Sequence, residues 1–195
     1  MQTIIFDVDG VIFKAIDAQG CYLWRKDIEA DLGITREHIS KIYNADWDNV
    51  TRGKRDIRIH LQDLFDTCPE LNLNAEQYLA YWRKNDIHVD PEILALVKTI
   101  QSPMYLGTNQ DPLRTTHIEK MVGQHFQGVF SSCHIGHIKP ELGFYTYIEN
   151  ALQLEPNQIT LIDDSMENVH GAIQRGWNAF FYTNNIQDLK LYLES

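Results

Sequence analysis

Two short acidic segments carry residue types that could hold a cation. Asp7 and Asp9 stand two positions apart in Asp-Val-Asp-Gly, where an apolar run ends, so both carboxylates can point the same way. Asp163 and Asp164 are adjacent and also follow an apolar run. An acidic turn or a helix N-cap explains single aspartates at such positions, but two adjacent ones exceed what capping needs. If the two runs are neighbouring strands, the four carboxylates converge into an all-oxygen site that suits Mg2+ and a substrate phosphate.

Three further polar residues could bind a phosphate beside that cation. Thr108 and Asn109 follow another apolar run and offer a hydroxyl, an amide and backbone N–H groups to an oxyanion. Lys139, in Ile-Lys-Pro-Glu just before a helical pattern, brings a positive charge to the same rim. Each residue alone is common on protein surfaces. Their joint occurrence at predicted strand ends indicates a phosphate-binding site.

The elements that must position these groups are predicted from short apolar runs that end in polar residues. The runs, each read as a buried strand, cover residues 3–6, 104–106, 129–130, 159–162 and 179–182. Helical patterns lie between the later runs and begin at the Asp-Pro pairs of Asp90 and Asp111 or end at Gly123 and Gly176. Strands that alternate with helices predict an α/β fold with a parallel sheet, whose ligand site lies at the carboxyl ends of the strands.

The stretch from residue 14 to residue 89 breaks this alternation and shows helical patterns only, including one predicted helix over 23–32. It contains Trp24, Trp47 and Trp82, which form a separate core of the insertion or line a pocket. It also contains a basic cluster of Arg52, Lys54, Arg55 and Arg58. Those side chains form either a solvated helix start or a recognition site for an anionic group of the substrate.

Taken together, the four motifs resemble those of the haloacid dehalogenase superfamily of phosphohydrolases. They are Asp7 to Gly10, Thr108, Lys139 before proline, and Asp163-Asp164 with Asn168 downstream. The resemblance spans residues 4 to 176, and the sequence around the last two motifs looks most like the sugar-phosphatase and epoxide-hydrolase-type branch. It implies a Rossmann-like core over residues 1–13 and 90–195, and a helical cap over residues 14–89 inserted after the first strand.

The resemblance also implies a role for each motif. Asp7 is the nucleophile, Asp9 the general acid and base, Thr108 and Lys139 hold the phosphoryl group, and Asp164 binds Mg2+ with Asp163 beside it. The backbone carbonyl of Asp9 is implied as a further ligand of the metal. Members that remove halogens lack the second aspartate of the first motif, so Asp9 argues against dehalogenation.

Composition excludes several classes of partner. The chain has 17 Lys plus Arg against 27 Asp plus Glu, a net charge of -10, which is the wrong sign for binding nucleic acid or anionic membranes. Three widely spaced cysteines show no metal-binding or redox spacing, and from the sequence pattern we expect neither a signal peptide nor a membrane-spanning run. We expect a soluble cytoplasmic protein that acts as a monomer or homodimer.

The expected activity is a Mg2+-dependent phosphatase that hydrolyses a small phosphorylated metabolite, such as a sugar phosphate, through an aspartyl-phosphate intermediate. Thr108, Asn109, Lys139 and Arg52 are the predicted substrate-binding residues. Two alternatives stay open: a phosphomutase that uses the same residues, and a catalytically idle binding protein on the same fold. Idleness is disfavoured because clustered carboxylates repel each other and cost stability unless a cation is bound.

Overall fold

The computed structural model describes residues 2–17, 21–44, 46–86 and 88–194. Within these ranges, one sheet of five parallel strands has the order β3-β2-β1-β4-β5. The strands are β1 (Thr3–Phe6), β2 (Met104–Thr108), β3 (Val129–Ser131), β4 (Ile159–Asp163) and β5 (Asn178–Phe181). The predicted α/β class and the five predicted strands are therefore confirmed.

In the order of the chain, the described helices divide into those that precede strand β2 and those that follow it. Those before it are α1 (Ile28–Leu32), α2 (Arg36–Ile42), α3 (Trp47–Thr51), α4 (Ile57–Asp66), α5 (Ala75–Asn85) and α6 (Pro91–Val97). Those after it are α7 (Pro112–Val122), α8 (Ser132–Ile135), α9 (Leu142–Leu152), α10 (Met166–Arg175) and α11 (Ile186–Glu194). None of the helices within the described ranges combines the length and the apolar character needed to cross a membrane.

The predicted Asp-Pro helix starts are confirmed. The Asp90 carboxylate accepts a hydrogen bond from the Glu92 backbone N–H at 2.8 Å, and the Asp111 carboxylate accepts one from Leu113 at 2.8 Å. These bonds satisfy backbone donors that have no partner inside the helix. The predicted stop at Gly176 is also confirmed, because Gly176 ends α10 in the left-handed conformation with φ 95°.

One predicted helix is wrong in extent. The pattern over residues 23–32 forms a short 3-10 turn, Leu23–Arg25, followed by the separate helix α1. Trp24 in that turn packs against the rings of Tyr43, Tyr78 and Trp82, with centroids 5.9 to 6.4 Å apart. This long-range aromatic packing sets the path of the chain there, and a local pattern does not encode it.

Alternate residues of the strands face opposite sides of the sheet, and each side is covered by helices. Ile4 and Phe6 of β1 pack in one hydrophobic cluster with α6, α7 and α11, while Ile5 packs in another with α9 and α10. A third cluster, from Ile28 to Trp82, gives α1 to α5 a hydrophobic core of their own. This arrangement supports a separate cap, but its boundaries at residues 13/14 and 89/90 stay a prediction.

Candidate active site

The centre of the site is a buried ammonium group between two carboxylates. Strands β1 and β4 are neighbours with Phe6 opposite Ile162, so the residues that follow them lie at the same sheet edge. Lys139 Nζ lies 2.8 Å from Asp7 Oδ1 and 2.6 Å from Asp163 Oδ2. It also donates to the backbone carbonyl of Gly107 at 2.7 Å. The three donors of the ammonium group are therefore all used, which fixes its position.

Burial and the neighbouring charges shift the pKa values of these groups. Burial raises the pKa of Asp7 well above its ordinary value, and Asp163 adds to the rise while Lys139 opposes it. Burial also works against the charge on Lys139, but Asp163 and Asp7 outweigh it and raise the Lys139 pKa. Burial and the nearby Asp163 raise the pKa of Asp164 to about 6. One ammonium group among three carboxylates leaves a surplus of negative charge that favours binding of a further cation.

Carboxylate oxygens of Asp7, Asp163 and Asp164 all lie within 4.8 Å of one another, close enough to hold one metal ion. Oxygen donors of this kind suit Mg2+. Gly10 (φ 81°) makes the arrangement possible, because a Cβ atom there would overlap the carboxylate of Asp164. The residues present therefore fit a Mg2+ site.

The two adjacent aspartates of the last motif have different surroundings. Asp163 is fully buried, and its carboxylate accepts from Lys139, from the Ser165 backbone at 2.8 Å and from the Asn168 amide at 3.0 Å. Asp164 as a whole residue is exposed, but its carboxylate packs against Gly10, which accounts for the burial that raises its pKa. The geometry therefore favours Asp164 as the direct metal ligand and Asp163 as the residue that holds Lys139.

The phosphate-binding residues that the sequence predicts lie beside this centre. Thr108 ends strand β2 and is 1% exposed, and its hydroxyl makes no hydrogen bond within the described part of the chain. Asn109 Nδ2 donates to the Lys139 carbonyl at 2.9 Å, and Asn109 Oδ1 accepts from the Lys139 backbone at 2.8 Å. These two bonds position the Lys139 loop, and the second Nδ2 hydrogen and the backbone N–H of Asn109 remain for an oxyanion.

Asp9 lies apart from the three clustered carboxylates. Its two carboxylate oxygens accept from Arg114 Nη1 at 2.5 Å and Nη2 at 2.6 Å, and Gln110 Nε2 donates to it at 2.6 Å. Arg114 is buried and also binds Asp86, at the end of α5, through Nε at 2.5 Å. The predicted metal role of the Asp9 side chain gains no support from this geometry, because a two-pronged arginine contact already orients it.

Our sequence interpretation missed Arg114, Asp86 and Gln110. A signal for the first two was present, because an arginine in the first turn of a helix and an aspartate at a helix C-terminus both oppose the helix dipole. Residues placed against the dipole need another reason to be there. The Asp86–Arg114–Asp9 chain of ion pairs, which joins α5 to the site, supplies that reason.

Arg52 takes part in a different contact. It pairs with Glu141 and, at 3.3 Å, with Asp48. Two of its neighbours in the basic cluster are also paired: Arg55 with Asp46 and Asp63, and Arg58 with Glu76. The geometry therefore favours the structural interpretation of the cluster, and the predicted role of Arg52 in substrate binding gains no support.

A cavity of about 590 Å³ opens beside Asp9. We call it the aromatic cavity. Its aromatic lining residues, here called the wall, are Phe13, Tyr22, Trp24, Tyr43, Trp47 and Trp82. Its lining residues from the site, here called the floor, are Asp9, Asn109, Gln110 and Arg114. The tryptophans of the insertion thus serve both predicted roles, since Trp82 is buried in the hydrophobic cluster of α1 to α5 and Trp24 and Trp47 pack against it.

Comparison with known proteins agrees with these motifs. A model of the haloacid dehalogenase-like hydrolase family matches residues 1–176. The chain is 23% identical over 197 residues to sesquiterpene phosphatase astK of Aspergillus oryzae, across 95% of this chain and 91% of that protein. It is 30% identical over 84 residues to bifunctional epoxide hydrolase 2 of Mus musculus, across 43% of this chain but only 15% of the length of the mouse protein.

Solved structures share the fold over nearly the whole chain. A HAD-like family hydrolase from Porphyromonas gingivalis has a TM-score of 0.78 at 16% identity, and the match covers 100% of this chain and 98% of that one. A HAD family enzyme from Bacteroides thetaiotaomicron, in complex with magnesium and inorganic phosphate, has a TM-score of 0.74 at 16% identity, with 92% and 93% covered. At this identity the likeness shows the parallel-sheet architecture with its added helices.

Proposed function

The chain belongs to the haloacid dehalogenase-like hydrolases, and on that premise we propose that it is a Mg2+-dependent phosphatase acting on a small phosphorylated metabolite through an aspartyl-phosphate intermediate. The observation that carries the proposal is the hydrogen bonding of the Asp7 carboxylate. Lys139 binds its Oδ1 atom at 2.8 Å, while its other oxygen makes no hydrogen bond within the described residues. A carboxylate held by one oxygen and open at the other is suited to attack a phosphorus atom.

Asp7 and Asp164, with the backbone carbonyl of Asp9, would hold the metal. When bound, Mg2+ would offset the repulsion between the attacking carboxylate and the anionic phosphate. The surplus of negative charge around Lys139, the raised pKa of Asp164 and the close approach of Gly10 support this assignment.

The remaining steps belong to the protein's own groups. The Thr108 hydroxyl and the Lys139 ammonium donate to the phosphoryl oxygens as Asp7 attacks, which lowers the cost of the charge that develops there. Asp9 protonates the leaving oxygen, so that the alcohol departs neutral. The resulting Asp9 carboxylate then takes a proton from the water that hydrolyses the aspartyl phosphate. Asp9 carries its proton on an oxygen that Arg114 has released, and after the proton has left, Arg114 binds both oxygens and orients the carboxylate.

Two of the similar proteins also support a phosphatase. The fungal relative is named a phosphatase, and the structural neighbour from Bacteroides thetaiotaomicron was crystallised with magnesium and inorganic phosphate. A sugar phosphate is one candidate substrate. The three cysteines are free thiols, which supports the proposed cytoplasmic location, a reducing compartment.

A phosphate-release assay with p-nitrophenyl phosphate tests the proposal. We expect turnover with Mg2+ and none with EDTA, and Asp7→Asn should abolish turnover while leaving the circular dichroism spectrum unchanged. Asp27→Asn is the matched control, because Asp27 is exposed and makes no cap hydrogen bond. Wild-type rates in a folded Asp7→Asn protein would refute the nucleophile. Transfer of the phosphoryl group to an added alcohol in preference to water, followed by 31P NMR, would instead identify a phosphomutase.

A further inference from the structure

The aromatic cavity begins where the leaving group of the substrate must depart. Asp9, which donates the proton to the leaving oxygen in the proposed mechanism, forms part of its floor together with Gln110 and Arg114. The alcohol part of the substrate therefore extends from Asp9 into this cavity. The chemistry of the cavity wall then decides which alcohols fit.

Four rings of the wall, those of Trp24, Tyr43, Trp47 and Trp82, pack against one another. Tyr43 and Trp47 lie 4.7 Å apart between centroids, Trp24 and Trp82 lie 5.9 Å apart, and Trp47 and Trp82 lie 6.4 Å apart. Rings that pack against each other lose little further freedom when a ligand binds, so the surface is preorganised. Contact between such a surface and apolar groups of a ligand lowers the free energy of the complex.

The charged groups that line the cavity are mostly engaged with other protein groups. Asp86 and Gln110 are engaged with Arg114 and Asp9, and Lys14 pairs with Asp90 at 3.4 Å. Among the described lining residues, the other polar groups are the side chains of Arg25, Ser40 and His88, the hydroxyls of Tyr22 and Tyr43, and the indole N–H groups of the tryptophans. Arg25 stacks on the Tyr22 ring at 4.3 Å. A sugar has several hydroxyl groups, and each one buried without a partner costs about fivefold or more in affinity.

We propose that the substrate is the phosphate monoester of a large apolar alcohol, whose hydrocarbon part lies in the aromatic cavity while its phosphate lies at Asp7 and Lys139. This inference rests on the proposed phosphatase function and selects one substrate class within it. The cavity volume of about 590 Å³ is in the range of small-molecule sites and leaves room for an extended or branched chain.

A series of n-alkyl monophosphates from ethyl to octyl tests this substrate preference, with a hexose 6-phosphate as the comparison. Hexyl phosphate and the hexose 6-phosphate share six carbons and a primary alkoxide leaving group, so they differ chiefly in the hydroxyl groups and the ring. We expect kcat/KM to rise about two- to fourfold per added methylene. Hexyl phosphate should exceed the hexose phosphate by at least tenfold.

A bulky substitution at the cavity wall provides a second test of the proposed substrate class. Ser40 lines the cavity from an exposed position on α2, so Ser40→Trp should fold and fill part of the space. It should lower kcat/KM for octyl phosphate at least tenfold more than for ethyl phosphate. Arg36→Trp, one turn earlier on the same helix and also exposed, is the control and should change neither value.

A binding measurement separates failure of the inference from failure of the proposed function. Trp24, Trp47 and Trp82 line the cavity, so intrinsic fluorescence should report the binding of 1-octanol, more weakly of 1-butanol, and not of glucose. Turnover of no ester would refute the phosphatase, and the titration would still decide what the cavity holds. The inference is overturned if the hexose phosphate has the higher kcat/KM, or if alcohol binding does not strengthen with chain length.

Discussion

Replacing Lys139 with methionine should affect stability and catalysis together. Methionine is unbranched and nearly as long as lysine, so Lys139→Met removes the charge with little loss of volume. The lysine side chain is 1% exposed and contacts Asp7, Asp163 and the Gly107 carbonyl. The substitution therefore leaves two buried carboxylates without their cation.

The expected losses follow from this contact pattern. Removing one partner of a buried ion pair costs about 3 to 5 kcal/mol in the free energy of unfolding. Losing a donor to the phosphoryl oxygens costs a further about 3 to 4 kcal/mol in the activation free energy, or roughly 200- to 1000-fold in kcat. Lys139 holds down the pKa of Asp7, which burial already raises. Without Lys139 the Asp7 carboxylate is harder to ionise, so the loss of stability should grow as the pH rises from 5 to 8.

Urea denaturation followed by tryptophan fluorescence, at pH 5 and pH 8 and with and without Mg2+, measures the first loss. Added Mg2+ should restore part of the stability, because it supplies a cation to the same carboxylates. Lys98→Met, an exposed position just after α6, is the control. If Lys139→Met lowers the free energy of unfolding no more than Lys98→Met does, the reasoning from the buried ion pairs is wrong. If it lowers kcat less than tenfold, the assignment of Lys139 to the phosphoryl group is wrong.

Three further predictions test other parts of the site and the fold. Asp9→Asn should lower turnover of an alkyl or sugar phosphate about 10² to 10⁴-fold, and with p-nitrophenyl phosphate it should give a burst followed by slow turnover; equal losses without a burst in rapid-quench experiments would contradict an acid-base role. Gly10→Ala should weaken Mg2+ activation at least tenfold, because its Cβ would displace the Asp164 carboxylate and its φ is 81°; an unchanged Mg2+ midpoint would contradict this. Burial lowers the pKa of His117, so the folded protein favours the neutral ring and should lose stability as the pH falls below about 6.5. His117→Gln should reduce that loss between pH 7 and pH 5 in urea denaturation, and an identical pH dependence would rule out His117 as its source.

The strand ends and helix starts were predictable because their signals are local. A buried parallel strand is a continuous apolar run, and the polar residue after it lies at the carboxyl edge of the sheet. Asp7, Thr108 and Asp163 could therefore be placed at one edge from the sequence alone. The Asp-Pro starts at Asp90 and Asp111 were predictable for the same reason, because an N-cap bonds to residues two or three positions away.

Contacts between distant residues were not predictable from these patterns. Arg114 reaches Asp9 across 105 positions, and Asn109 reaches Lys139 across 30. Such pairs form only when the strands and helices have packed, and an arginine in a helix carries no mark of which carboxylate it will meet. The sequence could place Asp9 near the other aspartates, but it could not show that Arg114 would take its side chain.

The sequence by itself determined which runs form strands, where polar residues follow those strands, and which motif carries which chemical group. Only the tertiary structure decided that Lys139 lies between Asp7 and Asp163 and that Asp164, by contrast, is exposed. It also decided that the tryptophans of the insertion line a cavity above Asp9. The physical reason is that local patterns encode which residues are buried, whereas the partner of a buried charge or ring depends on how separate elements pack together.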